Sequence, residues 1–207
     1  MSEEKKGIPD EFPTPEPEEV SGDGAETPEV SDDQLLALVN GEATFQDFFS
    51  LSDDVLLAWA NQGYLFYKQG KYEESEVIFK GLVTLNPKIA YYHTALGSLY
   101  EAQEEYDKAL EEFNAALEID NDDICALINR GEISLRKGQV LEAAEDFKKG
   151  IELDDANMEK QKEAGEPPTP DPAAQRARAL SVVTYEVLKE IEEKVKEAQA
   201  KGDLPPS

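Results

Sequence analysis

The 207-residue sequence has one cysteine, Cys125, one histidine, His93, and one tryptophan, Trp59. A lone thiol forms no internal disulfide, which suits a reducing compartment. One Cys with one His cannot build a Cys/His zinc cluster within the chain. Basic residues are scarce, with 20 Lys+Arg against 46 Asp+Glu and a formal net charge of -26. Such a surface repels nucleic-acid phosphates and anionic lipid headgroups, so neither nucleic acid nor membrane is expected as a partner. The charge keeps the chain soluble, and it also suits a sticky groove that must not self-associate, or a basic client. No apolar run approaches the roughly 20 residues of a membrane span. Residues 1–17 lack the apolar stretch of a signal peptide, so a cytoplasmic protein is expected.

Sites for chemistry are missing as well. No glycine loop has the form that cradles phosphate. The run from Asp120 to Asp123 lacks the glycine and terminal glutamate of a calcium loop and reads as a solvated turn. His93 has no partner in any catalytic pattern and reads as structural. The expectation is a non-enzymatic protein without cofactor or metal.

What is present is a rhythm. Residues 1–30 are acidic and rich in proline (Pro9, Pro13, Pro15, Pro17, Pro28). They hold too little apolar area to offset chain entropy, so a disordered tail is expected. Ser31 and Gln34 have capping-box spacing ahead of Leu35, Leu36, Leu38 and Val39, which predicts a short helix stopped at Asn40-Gly41. Thr44 is placed to cap a second turn carrying Phe45, Phe48 and Phe49, and Ser52-Asp53-Asp54 opens the main array.

From there, columns recur with a period of 34: Gly63, Gly97 and Gly131; Phe79, Phe113 and Phe147; Ser75, Ala109 and Ala143; Tyr72, Tyr106 and Val140. Pro87, Asn121 and Asp155 mark the ends of the units. The period and columns resemble the tetratricopeptide repeat. The small residues let paired helices approach closely, and the phenylalanines fill the space between pairs. Helix pairs are predicted over 56–69 with 72–85, 90–103 with 106–119, and 124–137 with 140–153. The repeat domain spans 31–155, with repeats of about 56–89, 90–123 and 124–157. Gly70 and Lys137-Gly138 mark the turns within pairs, where the middle repeat has Glu104-Glu105. Stacked pairs need caps: residues 31–54 at one end, and a helix over 173–201 at the other. That helix carries a stripe of Leu180, Val183, Val187, Leu188, Ile191 and Val195. The Pro-rich stretch 156–172 between them reads as a loop, and 202–207 as a tail. The fold class expected is all-α, a right-handed α-solenoid. Trp59, at the large position of its helix, is expected in the core.

In this architecture the first helix of each pair lines a concave surface. Its second, fifth, ninth and twelfth positions would face inward: Leu57, Ala60, Tyr64 and Tyr67; Tyr91, Thr94, Ser98 and Glu101; then Cys125, Ile128, Glu132 and Leu135. The tyrosines exceed what the core needs, and a large apolar ring with a hydroxyl suits peptide binding. The alternative is that they pack on the C-terminal helix lying in the groove. A Lys/Asn/Arg clamp for a C-terminal carboxylate is not formed, because Ala60 and Tyr64 stand at the corresponding positions.

Residues 36–153 resemble the tetratricopeptide class of type III secretion chaperones. The resemblance runs through Gly41-Glu42-Ala43-Thr44, Leu51-Ser52-Asp53-Asp54, the stretch from Tyr64 to Glu73, and Ile78-Phe79-Lys80-Gly81-Leu82. It continues through Leu96-Gly97, Tyr106-Asp107-Lys108-Ala109 and Arg136-Lys137-Gly138. It implies a cytosolic bacterial protein that holds an extended segment of a hydrophobic translocator in its groove before export, and a homodimer formed through the N-terminal region. Tyr64 and Tyr67 match groove aromatics of that family, whereas Ala60 stands where an aromatic is usual. A generic tetratricopeptide adaptor in another bacterial assembly shares the repeat columns and is the alternative.

Overall fold

The computed structural model describes residues 31–201. The proline-rich tail expected over 1–30 and the end at 202–207 lie outside the described residues. Among those described, the elements are α1 (Asp32–Val39), α2 (Phe45–Phe48), α3 (Asp53–Lys68), α4 (Tyr72–Leu85), α5 (Ala90–Ala102), α6 (Tyr106–Ile119), α7 (Ile124–Arg136), α8 (Val140–Glu163) and α9 (Pro172–Lys201). Each of α3 to α8 packs on the next, and α9 touches α7 and α8 alone. The result is an all-helical solenoid of stacked pairs.

Local chemistry sets the helix starts. Ser31 and Gln34 form a reciprocal capping box on α1, and Thr44 and Asp47 form another on α2. The side chain of Asp123 caps α7 by accepting from the Ala126 amide. Within each pair the small column permits close approach. A Cβ on Gly63, Gly97 or Gly131 would fall 2.9, 2.7 or 2.7 Å from the rings of Phe79, Phe113 and Phe147 respectively. Ser75, Ala109 and Ala143 are fully buried opposite them, and the Ser75 hydroxyl donates to the Gly63 carbonyl at 2.9 Å. The turns within pairs place Gly70, Glu104 and Gly138, 34 residues apart, at φ of 74°, 62° and 78°.

Four expectations need correction. Trp59 is 46% exposed. Its equivalents His93 and Leu127 are buried because a preceding pair covers them, and His93 bonds the carbonyl of Pro87 from that pair. The lead-in does not do the same for Trp59: α1 touches only α2, and α2 reaches α4. The lead-in is instead tied down through Gln46, which bonds Asn86 and Asp53, and through Lys88, which bonds the Gly41 carbonyl.

Asp155 does not end a unit. Helix α8 continues to Glu163, so the connection to α9 is confined to 164–171. Asp155 stands in the column of Pro87 but is not a proline, and the packed α9 supports the longer helix. Asp154, 1% exposed, accepts from the Asp171 amide and from Arg178 at 2.8 and 2.7 Å, and Arg178 also reaches Asp155 at 2.6 Å.

The seam of α9 is built from small residues. Ala173, Ala174, Ala177 and Thr184 are buried, with Leu180, Val187 and Leu188 half-buried, whereas Val183 and Ile191 are exposed. The first turn is capped by Asp171, which accepts from the Ala173 and Ala174 amides. Val195 lies outside the described side chains.

Candidate functional site

A hollow of roughly 730 Å³ opens on the face formed by α3, α5 and α7, with Arg176 of α9 at one edge. Its two ends differ in chemistry. Toward the first pair stand Tyr64, Tyr67 and Tyr91. The Tyr64 and Tyr67 rings stack with centroids 6.4 Å apart, one helical turn apart on α3. Tyr91 meets the Phe79 ring edge-on at 6.3 Å, so the core phenylalanine supports the groove aromatic. Tyr64 and Tyr91 are 48% and 47% exposed. Burial pushes the hydroxyls of Tyr67 and Tyr91 further up from their ordinary value, so both rings stay neutral.

The floor is a polar ladder running from α5 through α7 to α9. Thr94 donates to Asp123 at 2.6 Å, and Ser98 donates to the Thr94 carbonyl at 2.9 Å. Asn129 donates to Ser98 at 3.1 Å, and Arg176 donates to Asn129 and Glu132 at 2.8 and 2.9 Å. These bonds fix the side chains that form the floor. Glu101 sits among them with its carboxyl pushed up to about 6, by burial first and by Glu132 second, against the lowering influence of Arg136 and Arg176. Cys125 is exposed as a residue, and its thiol, set within the hollow, is pushed up to about 11 by partial burial first and then by Asp171 and Asp123. It therefore stays protonated and a poor nucleophile. Away from the hollow, the imidazole of His93 is held by Glu112 at 2.7 Å.

Of the positions expected to face inward, Tyr64, Tyr67, Tyr91, Thr94, Ser98, Glu101, Cys125 and Glu132 line this hollow. The other four lie elsewhere. Ala60 is 1% exposed within the cluster of Leu56, Phe79 and Leu82, since a single methyl ends inside the seam between helices. Ile128 is fully buried and Leu135 partly so, in the cluster that α9 completes with Ala173 and Ala177. Leu57 is exposed near the start of α3, off the hollow. The counting rule missed Arg136, Asn129 and Arg176. Asn129 and Arg136 sit outside the counted positions, and Arg176 enters from a helix outside the repeats, so no repeat register signals it.

Among the described residues, no group of three or more His, Cys, Asp or Glu is placed to hold a metal ion, and no helix is long and apolar enough to cross a membrane.

Residues 58–124 and 126–157 match family models described as tetratricopeptide repeat. The curated protein bimA of Emericella nidulans is 29% identical over 100 residues, which are 48% of this chain and 12% of that protein. Among solved structures, a type III secretion complex from Aeromonas hydrophila superposes with a TM-score of 0.64 at 20% identity, covering 76% of this chain and 99% of that one. The Yersinia enterocolitica type III secretion chaperone SycD, in complex with a peptide of the translocator YopD, superposes with a TM-score of 0.55 at 24% identity. That alignment covers 68% of this chain and 98% of the other. These likenesses establish a shared fold.

Proposed function

Starting from tetratricopeptide repeats over 58–124 and 126–157, we propose that this chain holds an extended, largely apolar segment of another protein in its concave hollow. The carrying observation is the pair of half-exposed rings, Tyr64 and Tyr91, beside an open space that the C-terminal helix leaves unfilled. A soluble monomer gains nothing from presenting neighbouring aromatics there, whereas a bound segment buries them. Each well-buried apolar anchor contributes roughly 1.5–3 kcal/mol, so a few anchors give micromolar-range affinity. The chain acts by binding, with no chemical step.

The client proposed is a hydrophobic translocator of a bacterial secretion system, held in the cytoplasm before export. The family resemblance of the sequence and the fold shared with a chaperone solved with a translocator peptide support it. Such a client aggregates or inserts into membranes when free, and the surface charge of -26 keeps the complex dispersed. Co-expression with candidate translocators tests this. The wild-type chain captures its client, and Tyr64→Ala/Tyr91→Ala loses most of the capture while remaining folded. Equal capture by both chains would contradict it, and capture only of unrelated partners would favour an adaptor.

A homodimer through the N-terminal region is part of the same proposal. Leu36, Val39, Phe49, Val55 and Trp59 are all exposed on α1, the end of α2 and α3, and a partner copy seated on this end of the array would bury them. Sedimentation of the full chain is expected to give a dimer that Trp59→Glu converts to monomer.

A further inference from the structure

We propose that Glu101 sets the specificity of the hollow by receiving a lysine or arginine side chain from the bound segment, while apolar side chains of that segment rest on Tyr64, Tyr67 and Tyr91. This rests on the segment-holding reading above.

The argument begins with which carboxylates of the hollow are already occupied. Glu132 accepts from Arg176 at 2.9 Å. Asp123 accepts from Thr94 and from the Ala126 amide that it caps. Glu104 is exposed at the turn after α5, where water solvates it. Glu101 is different. It lines the hollow, is mostly shielded from solvent, and its carboxylate accepts no hydrogen bond from another described residue. The neighbouring cations are committed elsewhere: Arg176 bonds Glu132 and Asn129, and the Arg136 guanidinium lies over the Tyr106 ring at 5.9 Å. Arg136, Arg176, Glu132 and Tyr67 are the charged and titratable groups that bear on Glu101 from α7, α9 and α3.

A partly desolvated carboxylate that no protein donor reaches is held less well than one in open water, and a ligand cation supplies the missing charge-assisted bond. The Tyr67 ring beside it offers a face for the alkyl stem of that cation. The hollow as a whole favours the same sign, with Glu101, Glu104, Glu132 and Asp123 against Arg136 and Arg176. The net charge of -26 steers basic segments toward it. An occupant presenting a free C-terminal carboxylate would add a further negative charge beside Glu101 and Glu132.

The test pans a displayed library of short random peptides against the full chain, against Glu101→Gln and against Tyr64→Ala/Tyr91→Ala. Wild type is expected to select apolar residues with a lysine or arginine at a fixed spacing, and Glu101→Gln to keep the apolar preference while losing the basic one. The selected peptide should bind Glu101→Gln on the order of ten-fold more weakly, and replacing its basic residue by norleucine should make the two chains equal. A wild-type consensus without a basic residue, a consensus ending in a free carboxylate, or a basic preference unchanged in Glu101→Gln would overturn the proposal. Failure of the segment-holding reading is separate. In that case wild type retains no peptide, or retention ignores the tyrosine substitutions, and the assignment of Glu101 falls with it.

Discussion

The Phe113 ring occupies the space that a side chain on Gly97 would need, coming within 2.7 Å of the position of a Cβ. Gly97→Ala therefore forces the ring or the helix to shift, and is expected to destabilise the fold by about 1–3 kcal/mol. Gly81 lies in α4 with nothing within 4 Å of its would-be Cβ. Gly81→Ala is expected to stabilise by about 1 kcal/mol through helix propensity alone. Urea denaturation of the two variants checks both signs.

The close approach at Gly97 was legible in the sequence because a 34-residue period writes the small column three times. The phenylalanines, expected between successive pairs, instead press on the glycine of their own pair, Phe79 on Gly63, Phe113 on Gly97 and Phe147 on Gly131. What the period did not reveal lies where repeats meet non-repeats. Trp59 occupies a core column, yet no preceding pair covers it. Asp155 occupies a terminator column, yet α9 and Arg178 hold the helix together past it. The seam of α9 uses Ala173, Ala174 and Ala177, residues too small to stand out in a stripe of large aliphatics. In the hollow, the tyrosines and Glu101 were found by register, whereas Ala60 and Ile128 were misplaced because inward position alone does not measure how far a side chain reaches.

Glu104 takes the left-handed conformation, φ 62°, that Gly70 and Gly138 take in the other repeats. A non-glycine residue there carries roughly 1–2 kcal/mol of strain, partly offset by the lower entropy of its unfolded chain. Glu104→Gly is expected to stabilise by up to about 1 kcal/mol, read as a raised denaturation midpoint.

Arg178 neutralises Asp154, which is 1% exposed, at 2.7 Å. Arg178→Ala strands that buried charge and is expected to cost roughly 2–3 kcal/mol. The loss falls on the attachment of α9, so limited proteolysis within 164–171 should accelerate before the repeats unfold. Arg176→Ala, whose partners sit at the groove, is expected to leave that cleavage rate near wild type.

Two groups make stability depend on pH with the same sign. Glu112 holds the His93 proton above its ordinary value of 6.5, and burial raises Glu101 from 4.5 to about 6. In both cases the folded chain binds the proton more tightly than the unfolded chain. The His93 contribution is complete below about 6.5 and is lost as pH rises through the higher folded value. The Glu101 contribution is complete below about 4.5 and lost as pH rises through about 6, amounting to about 1 kcal/mol after allowance for solvent screening. Denaturation midpoints should therefore fall from pH 5 to pH 8. Glu101→Gln should flatten the lower part of that slope, and His93→Gln the upper part.

Amide hydrogen exchange on the full chain, alone and co-expressed with a hydrophobic translocator client, locates the bound segment directly. The expected result is slowed exchange in α3, α5 and α7 around Tyr64, Tyr91 and Glu101, with α4 and α6 unchanged. Protection confined to α1 and α2 or to the outer helices, with the tyrosine-lined face exchanging as in the free chain, would contradict the account.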